Sequence, residues 1–450
     1  MKLNYKRTFF MGLAFLSICA FWQMYDNIVP LMLQKTFHMN ETITGVIMAL
    51  DNVLAVFLLP ALGAFSDKVD TPWGKRTPFI VVGTILASVL LILVGVANKA
   101  AALIPFIVLL LLLLVAMGLY RSPAVALMPD LTPKPLRSQA NAVINLMGAI
   151  GGVYTLALIA LLTKGDSADY MPIMIGVVAV MIISIVVLLL TIKEKKVAAE
   201  VEAEEIAYEA EKAEAAEEKL IEDIFIGDEE PDIPNESKTN DIQTEKLPAD
   251  VKKSLILILV SIALWYIAYN AVTTAWSRYA TTVWDMKDGG YANCLMVGTV
   301  AACLSYIPIG ILAAKIGRKK TIIIGIVMLF ISYLAAAMYA NFSPTINIFF
   351  VLIGVGWAAI NVNSLPMVVE MCKSSDVGKY TGLYYTFSMS AQIITPILSG
   401  ALLQYVSYRT LFPYACVFMV LAFVTMSFVK HGDNKPEQKK NKLEYLDVED

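Results

Sequence analysis

Apolar residues in this chain gather into runs of about 20, the number a helix needs to cross a hydrocarbon core ~30 Å thick. Charged residues mark the ends of the runs and seldom interrupt them. The pattern predicts spans at 8–34, 43–66, 77–97, 102–128, 140–163 and 170–192, then at 253–278, 290–314, 320–340, 345–370, 380–404 and 409–429. An even number in each half returns the chain to its starting side. The first run continues past Leu33, well beyond the apolar core of a cleaved signal peptide, so it is read as a span. The expected fold class is an all-α membrane protein of twelve transmembrane helices. It has six helices over 1–192, six over 253–430 and a tail over 431–450.

The charges between runs give an orientation. Lys2, Lys6 and Arg7 precede the first span, Lys68, Lys75 and Arg76 follow the second, and Lys134 and Arg137 follow the fourth. Lys193, Lys195 and Lys196 follow the sixth, and Lys315, Arg318, Lys319 and Lys320 follow the eighth. All of these fall on one side, whereas the other side holds mainly Lys35, Lys99, Lys164 and Lys287. The positive-inside rule then predicts cytoplasmic termini and a cytoplasmic connector over 193–252. That connector is acidic: residues 200–250 carry nineteen Asp and Glu against four Lys. It reads as a solvated charged helix followed by a flexible strap.

Composition removes several function classes. With 58% hydrophobic and 16% charged residues, the chain lies far from a soluble domain. Outside the connector the net charge is positive, which cytoplasmic loops account for without a nucleic-acid partner. Five scattered cysteines show no metal-ligand spacing and no disulfide framework. His38 and His431 are the only histidines, so a buried imidazole has little to offer catalysis. No Walker loop, HExxH or plausible Ser/His pair is visible, and no cofactor or metal is expected.

A repeat organises the spans. After the second come Gly63-Ala64-Phe65-Ser66-Asp67-Lys68 and Trp73-Gly74-Lys75-Arg76; after the eighth, a reduced copy runs from Gly310 to Gly317-Arg318-Lys319-Lys320. The loops after spans four and ten match at a similar offset, each with an acid (Asp130, Glu370) and then a basic residue (Arg137, Lys379). Two signals at one offset point to two six-helix bundles related by a pseudo-two-fold axis along the membrane normal, with a solute site between them. The first loop also reads as a conformational latch. Gly63 permits close helix approach, Asp67 ends a helix, and Gly74, Lys75 and Arg76 bring counter-charges near it.

Charges inside a bilayer cost at least ~2.5 to 3.5 kcal/mol each, so those present should face a cavity or a partner. Asp26 and Asp51 lie at similar depth in the first two spans. Desolvation and mutual repulsion in a shared environment are the conditions under which a carboxylate carries protons near neutral pH. Arg121, in span four, either faces the pathway or neutralises Asp67 or Asp130, and Glu370 reads as a solvated loop acid. A sugar needs hydroxyl partners and flat aromatic faces. Candidates are Asn27 and Asn52 beside the two acids, Asn141 and Asn145 on span five, and Tyr269 and Asn270 on span seven. Span ten adds Trp357, Asn361 and Asn363, and span eleven adds Tyr384 and Gln392. Asn141 and Asn145 continue to Gly148 and Gly152 on one helix face; Tyr384, Ser388 and Gln392 stack at i, i+4. Interhelical hydrogen bonding is the rival role for these amides. Trp276 and Arg278 read as interfacial anchors.

The segment GAFSDKVDTPWGKR resembles the loop signature of the major facilitator superfamily. Its Ser-Asp before Trp-Gly-Lys-Arg resembles the sucrose-transporter-like branch and the related glycoside-pentoside-hexuronide cation symporters. NVNSLPMVVEM and YTGLYYTFSMSAQIITPILSG look like bacterial members of that branch. Two features depart from it: the second-half loop has lost its acid, and span four carries Arg121-Ser122-Pro123. The resemblance implies proton-coupled uptake of a disaccharide or glycoside, in a bacterium. The basic termini suggest a plasma membrane, and a monomer in contact with lipid is expected. A sodium-coupled sugar symporter and a drug or metabolite exporter of the same superfamily are the alternatives within the transporter class. A receptor or scaffold with an acidic arm is the alternative outside it.

Overall fold

The computed structural model describes residues 3–133, 136–163, 169–208, 210, 248–287, 289–371 and 377–433. The expected spans appear one for one as helices: α1 (Tyr5–Lys35), α2 (Glu41–Asp67), α3 (Thr77–Lys99), α4 (Leu103–Asp130), α5 (Arg137–Leu162) and α6 (Met171–Thr191). The second half holds α7 (Ala249–Val283), α8 (Gly290–Ile316), α9 (Arg318–Met338), α10 (Ile346–Val369), α11 (Val377–Tyr405) and α12 (Leu411–Ser427), with a 3₁₀ turn at Tyr408–Thr410. Among the described residues, twelve helices are long and apolar enough to cross a membrane. Of the acidic connector, residues 194–208 are helical, and 211–247 lie outside the described residues.

Local chemistry sets the helix starts. Asn4 and Asn40 cap α1 and α2 by accepting the backbone N–H groups of Arg7 and Ile43, at 3.0 and 2.9 Å. Pro78 and Pro172 occupy first-turn positions of α3 and α6, where a missing N–H costs nothing. Once formed, the helices bury one face against neighbours and present the other outward. Leu190, Ile104, Leu304 and Phe57 are all at least 70% exposed, a surface that requires hydrocarbon around it.

Glycines set how closely the helices cross. A methyl added at Gly151 of α5 would lie 2.0 Å from the Leu16 carbonyl oxygen of α1, and one at Gly354 of α10 would lie 2.1 Å from that of Gly298 in α8. The halves meet along two seams, α2 against α11 and α5 against α8, which the six-helix repeat interchanges. Between the seams α1 and α7 face one another, so polar residues on these six helices have access to the central space.

The helix α7 extends to Val283, five residues past the expected end at 278, and Trp276 and Arg278 are not interfacial anchors. Both are buried: the Trp276 indole donates to the Tyr291 carbonyl at 2.8 Å, and Arg278 bonds Glu41 of the other half at 2.6 Å.

Candidate functional site

The first chamber between the halves gathers charge. It has a volume of about 240 Å³ and is lined by Trp22 and Asp26 of α1, Asp51 and Asn52 of α2 and Arg121 of α4, facing Asn270, Thr273 and Gln392 of α7 and α11. Asp51 Oδ1 accepts the backbone N–H of Asn52 at 2.6 Å and its side-chain amide at 2.8 Å, which aims the carboxylate along α2. The Arg121 guanidinium stands 5.8 Å from the centre of the Trp22 ring, within cation–π range. Arg121 and the two acids thus line this one chamber together, and Asp130 pairs with Arg76.

The second chamber is larger, about 290 Å³, and less charged. Gln23 of α1 and Asn145 of α5 line one wall; Tyr269 of α7, Tyr306 of α8, Tyr333 of α9 and Trp357 and Asn361 of α10 line the other. Tyr269 and Trp357 stack with ring centres 3.7 Å apart and planes 6° from parallel, and Tyr266 meets the Trp357 edge at 5.3 Å. The result is a flat aromatic wall with amides around it, the combination that a pyranose face and its hydroxyl rim require. The chambers adjoin at Thr273, which lines both. The Asn270 amide nitrogen and the Tyr333 hydroxyl, from the two linings, are buried without a hydrogen-bond partner among the described residues. Such groups are rare in a folded protein unless something else satisfies them.

Several candidates read from the sequence lie elsewhere. Asn27 turns its amide back to the Gln23 carbonyl at 2.9 Å, and Asn363 does the same to Ala359 at 2.9 Å, so both bond to their own helices. Tyr384 packs within the second half, its hydroxyl 3.1 Å from Ser364 Oγ and 3.3 Å from that of Tyr266. Asn141 lines neither chamber. Conversely, sequence reading passed over Trp22 and Gln23, although both share a helix face with Asp26 at i, i+4 and i, i+3.

At the basic ends of the helices the expected latch takes a different form. Gly63 sits where an added methyl would approach Ser122 Oγ to 3.1 Å, so close helix approach is what it provides. Arg76 bonds Asp130 Oδ2 at 2.7 Å and Ser66 Oγ, and the Asp67 side chain lies outside the described residues. Glu194, just beyond α6, accepts the backbone N–H groups of Lys75, Arg76 and Thr77 at 2.6 to 2.9 Å and caps α3 from across the bundle. Lys75 thus contributes its backbone, and its side chain is exposed. Gly74, at φ 116°, makes the approach possible, since a methyl there would fall 2.2 Å from the Glu194 carboxyl carbon. The second half repeats the device. Gly317, at φ 96°, faces Asp433 from beyond α12, which accepts the Lys319 N–H at 2.8 Å, and Arg318 pairs with Glu370. The acid missing from the second loop is supplied by the tail, and Glu370 is a paired acid, not a solvated one. Glu194→Gln is expected to cost about 1.5 to 3 kcal/mol, from loss of hydrogen bonds to a charged group. It should therefore lower the melting temperature in detergent by several degrees, as should Gly74→Ala; unchanged melting in both would refute a stabilising role for the Glu194 cap.

A family model described as Major Facilitator Superfamily matches residues 11–298 and 258–446. The chain belongs to the Major Facilitator Superfamily. It is a multi-pass membrane transporter, not an enzyme. Sucrose transport protein SUC3 of Arabidopsis thaliana is 28% identical over 138 residues, which cover 26% of this chain and 23% of that protein. SUC4 of the same plant is 30% identical over 113 residues, 22% of each chain. An uncharacterized MFS-type transporter, C18.02 of Schizosaccharomyces pombe (strain 972 / ATCC 24843), is 28% identical over 166 residues, covering 37% of this chain and 36% of its own. These matches therefore span well under half of each relative. Among solved structures, nucleoside transporter NupG superposes with a TM-score of 0.65 at 16% identity, over 95% of this chain and all of that one. A POT family transporter in complex with 5-aminolevulinic acid gives 0.66 at 12% identity, over 94% and 95%. Both likenesses concern the fold.

Proposed function

We propose that this transporter takes up a disaccharide or other glycoside together with protons, the two halves rocking about the paired chambers. One observation carries the reading: two carboxylates and an arginine share one chamber, and an aromatic wall ringed by amides lines the next, with both chambers between the halves. The first arrangement suits a proton carrier near a fixed counter-charge, and the second suits a sugar ring. Two of the curated relatives are named as sucrose transport proteins, which supports the same substrate class. The basic loops face the cytoplasm in this reading, so the opposite ends of the helices face outward.

The test is a counterflow screen in proteoliposomes with labelled mono- and disaccharides, run with a pH gradient, with a sodium gradient and with neither. Accumulation of at least one disaccharide or glycoside under an inward proton gradient is expected. Accumulation driven by sodium alone would replace the proton as coupling ion. Failure of every saccharide to exchange would overturn the substrate class and favour the exporter alternative.

A further inference from the structure

A proline inside a helix removes one N–H, and the carbonyl four positions earlier loses its donor. In hydrocarbon such a carbonyl cannot turn to the solvent, so another group must satisfy it. Pro30 lies within α1, Pro123 and Pro129 within α4, Pro308 within α8, Pro366 within α10 and Pro396 within α11. The carbonyls that they release belong to Asp26, Leu119, Val125, Leu304, Val362 and Gln392. Of these six residues only Asp26 and Gln392 line a chamber, and both line the charged one, from opposite halves. Pro396 lines it as well, so the face of α11 that lacks an N–H is the face turned to this chamber. Asp26 and Pro30 share a face of α1 at i, i+4.

The usual repairs are missing at both places. Each helix runs as α through its proline, with no 3₁₀ or π turn to supply a donor from another position. Among the described residues, no side chain donates to either carbonyl. The contents of the chamber are left to do so. Asn270 of α7 adds the opposite requirement, a buried amide nitrogen that needs an acceptor. A sugar hydroxyl answers both, since it donates one proton and accepts on two lone pairs. The carboxylates of the same chamber are poorer partners for it, because a group that gains and loses a proton changes from acceptor to donor. A main-chain carbonyl accepts throughout.

We propose that the main-chain carbonyls of Asp26 and Gln392, released by Pro30 and Pro396, hold hydroxyls of the second unit of a disaccharide whose first ring lies on the aromatic wall. The chambers adjoin at Thr273, so one solute can enter both. The assignment rests on the sugar reading above and narrows it: the second unit is a hydroxylated sugar, not an apolar aglycone.

The test uses the full chain in proteoliposomes, with half-saturation of counterflow measured for sucrose, maltose, lactose, glucose and phenyl glucoside. At least one disaccharide is expected to half-saturate at a concentration tenfold below glucose and phenyl glucoside. Pro30→Ala and Pro396→Ala each restore an N–H that closes the carbonyl within its own helix. Each should raise the value for that disaccharide at least fivefold and change the value for glucose less than twofold. Pro366→Ala makes the same change where the released carbonyl lines no chamber, and should preserve the native preference. Disaccharide and glucose weakening alike in the first two variants would reveal a loosened helix and overturn the assignment, as would phenyl glucoside binding more tightly than every disaccharide. If neither variant folds, the native protein still decides: deoxy analogues lacking single hydroxyls of the second unit should include one that loses at least tenfold, and losses all within twofold would overturn the site. Disaccharide exchange that none of these changes alters would sink the carbonyl site and leave sugar transport standing, whereas no exchange of any saccharide would sink both.

Discussion

Replacing Asp26 or Asp51 by asparagine is expected to abolish accumulation driven by a pH gradient, by at least tenfold, while sugar counterflow continues. An amide occupies nearly the volume of a carboxylate but neither binds nor releases a proton in the physiological range. The substitution is geometrically mild at Asp51, because an asparagine Oδ1 still accepts the two Asn52 donors that now hold the carboxylate. What it removes is a titratable carboxyl from the chamber that Arg121 also lines. Proteoliposomes loaded with unlabelled sugar separate the two activities, since exchange requires the conformational cycle and no net proton movement. If both variants accumulate sugar as the native protein does, the chamber does not hold the coupling proton.

Truncating Trp357 to alanine should raise the KM for transported sugar about tenfold, equivalent to about 1.4 kcal/mol. The indole forms the flat wall of the aromatic chamber, stacked on Tyr269 and met edge-on by Tyr266, so its loss removes a contact face and loosens two neighbours. Trp357→Phe keeps an aromatic face and should fall between native and alanine, which distinguishes lost sugar contact from general loosening of the bundle. The maximal accumulation ratio at saturating sugar should stay near native, because the carboxylates occupy the other chamber. A KM within twofold of native in Trp357→Ala would remove the sugar from this wall. The two predictions are complementary: one changes coupling and leaves affinity, the other changes affinity and leaves coupling.

Of the residues singled out in the sequence, those that line the two chambers share a physical reason. Asp26, Asp51 and Arg121 are too costly to face lipid, and they line one chamber. Asn145, Tyr269, Trp357 and Asn361 line the other, and Asn52, Asn270 and Gln392 line the first. Uncharged amides are less constrained. Asn27 and Asn363 satisfy a donor on a carbonyl one turn back, a solution any helix offers and one that hydropathy cannot distinguish from facing a cavity. Tyr384 illustrates the same ambiguity, since an aromatic hydroxyl finds partners in packing as readily as in a chamber.

The sequence by itself determined the number of helices, their approximate limits and their grouping into two halves. Each depends on a local requirement: about 20 apolar residues per crossing, with charges only where water is available. It also indicated that Asp26 and Asp51 face a cavity or a partner and not lipid. The tertiary structure alone decided partners. Glu41 and Arg278 are 237 positions apart, Glu194 caps a helix that starts 117 positions earlier, and Asp433 lies 114 positions from the N–H it accepts. No local pattern encodes such pairings, because the energy of a buried charge depends on what the packed helices bring within about 3 Å of it. The same dependence explains why Arg278, at a position that suits an interfacial anchor, is instead buried between the two halves.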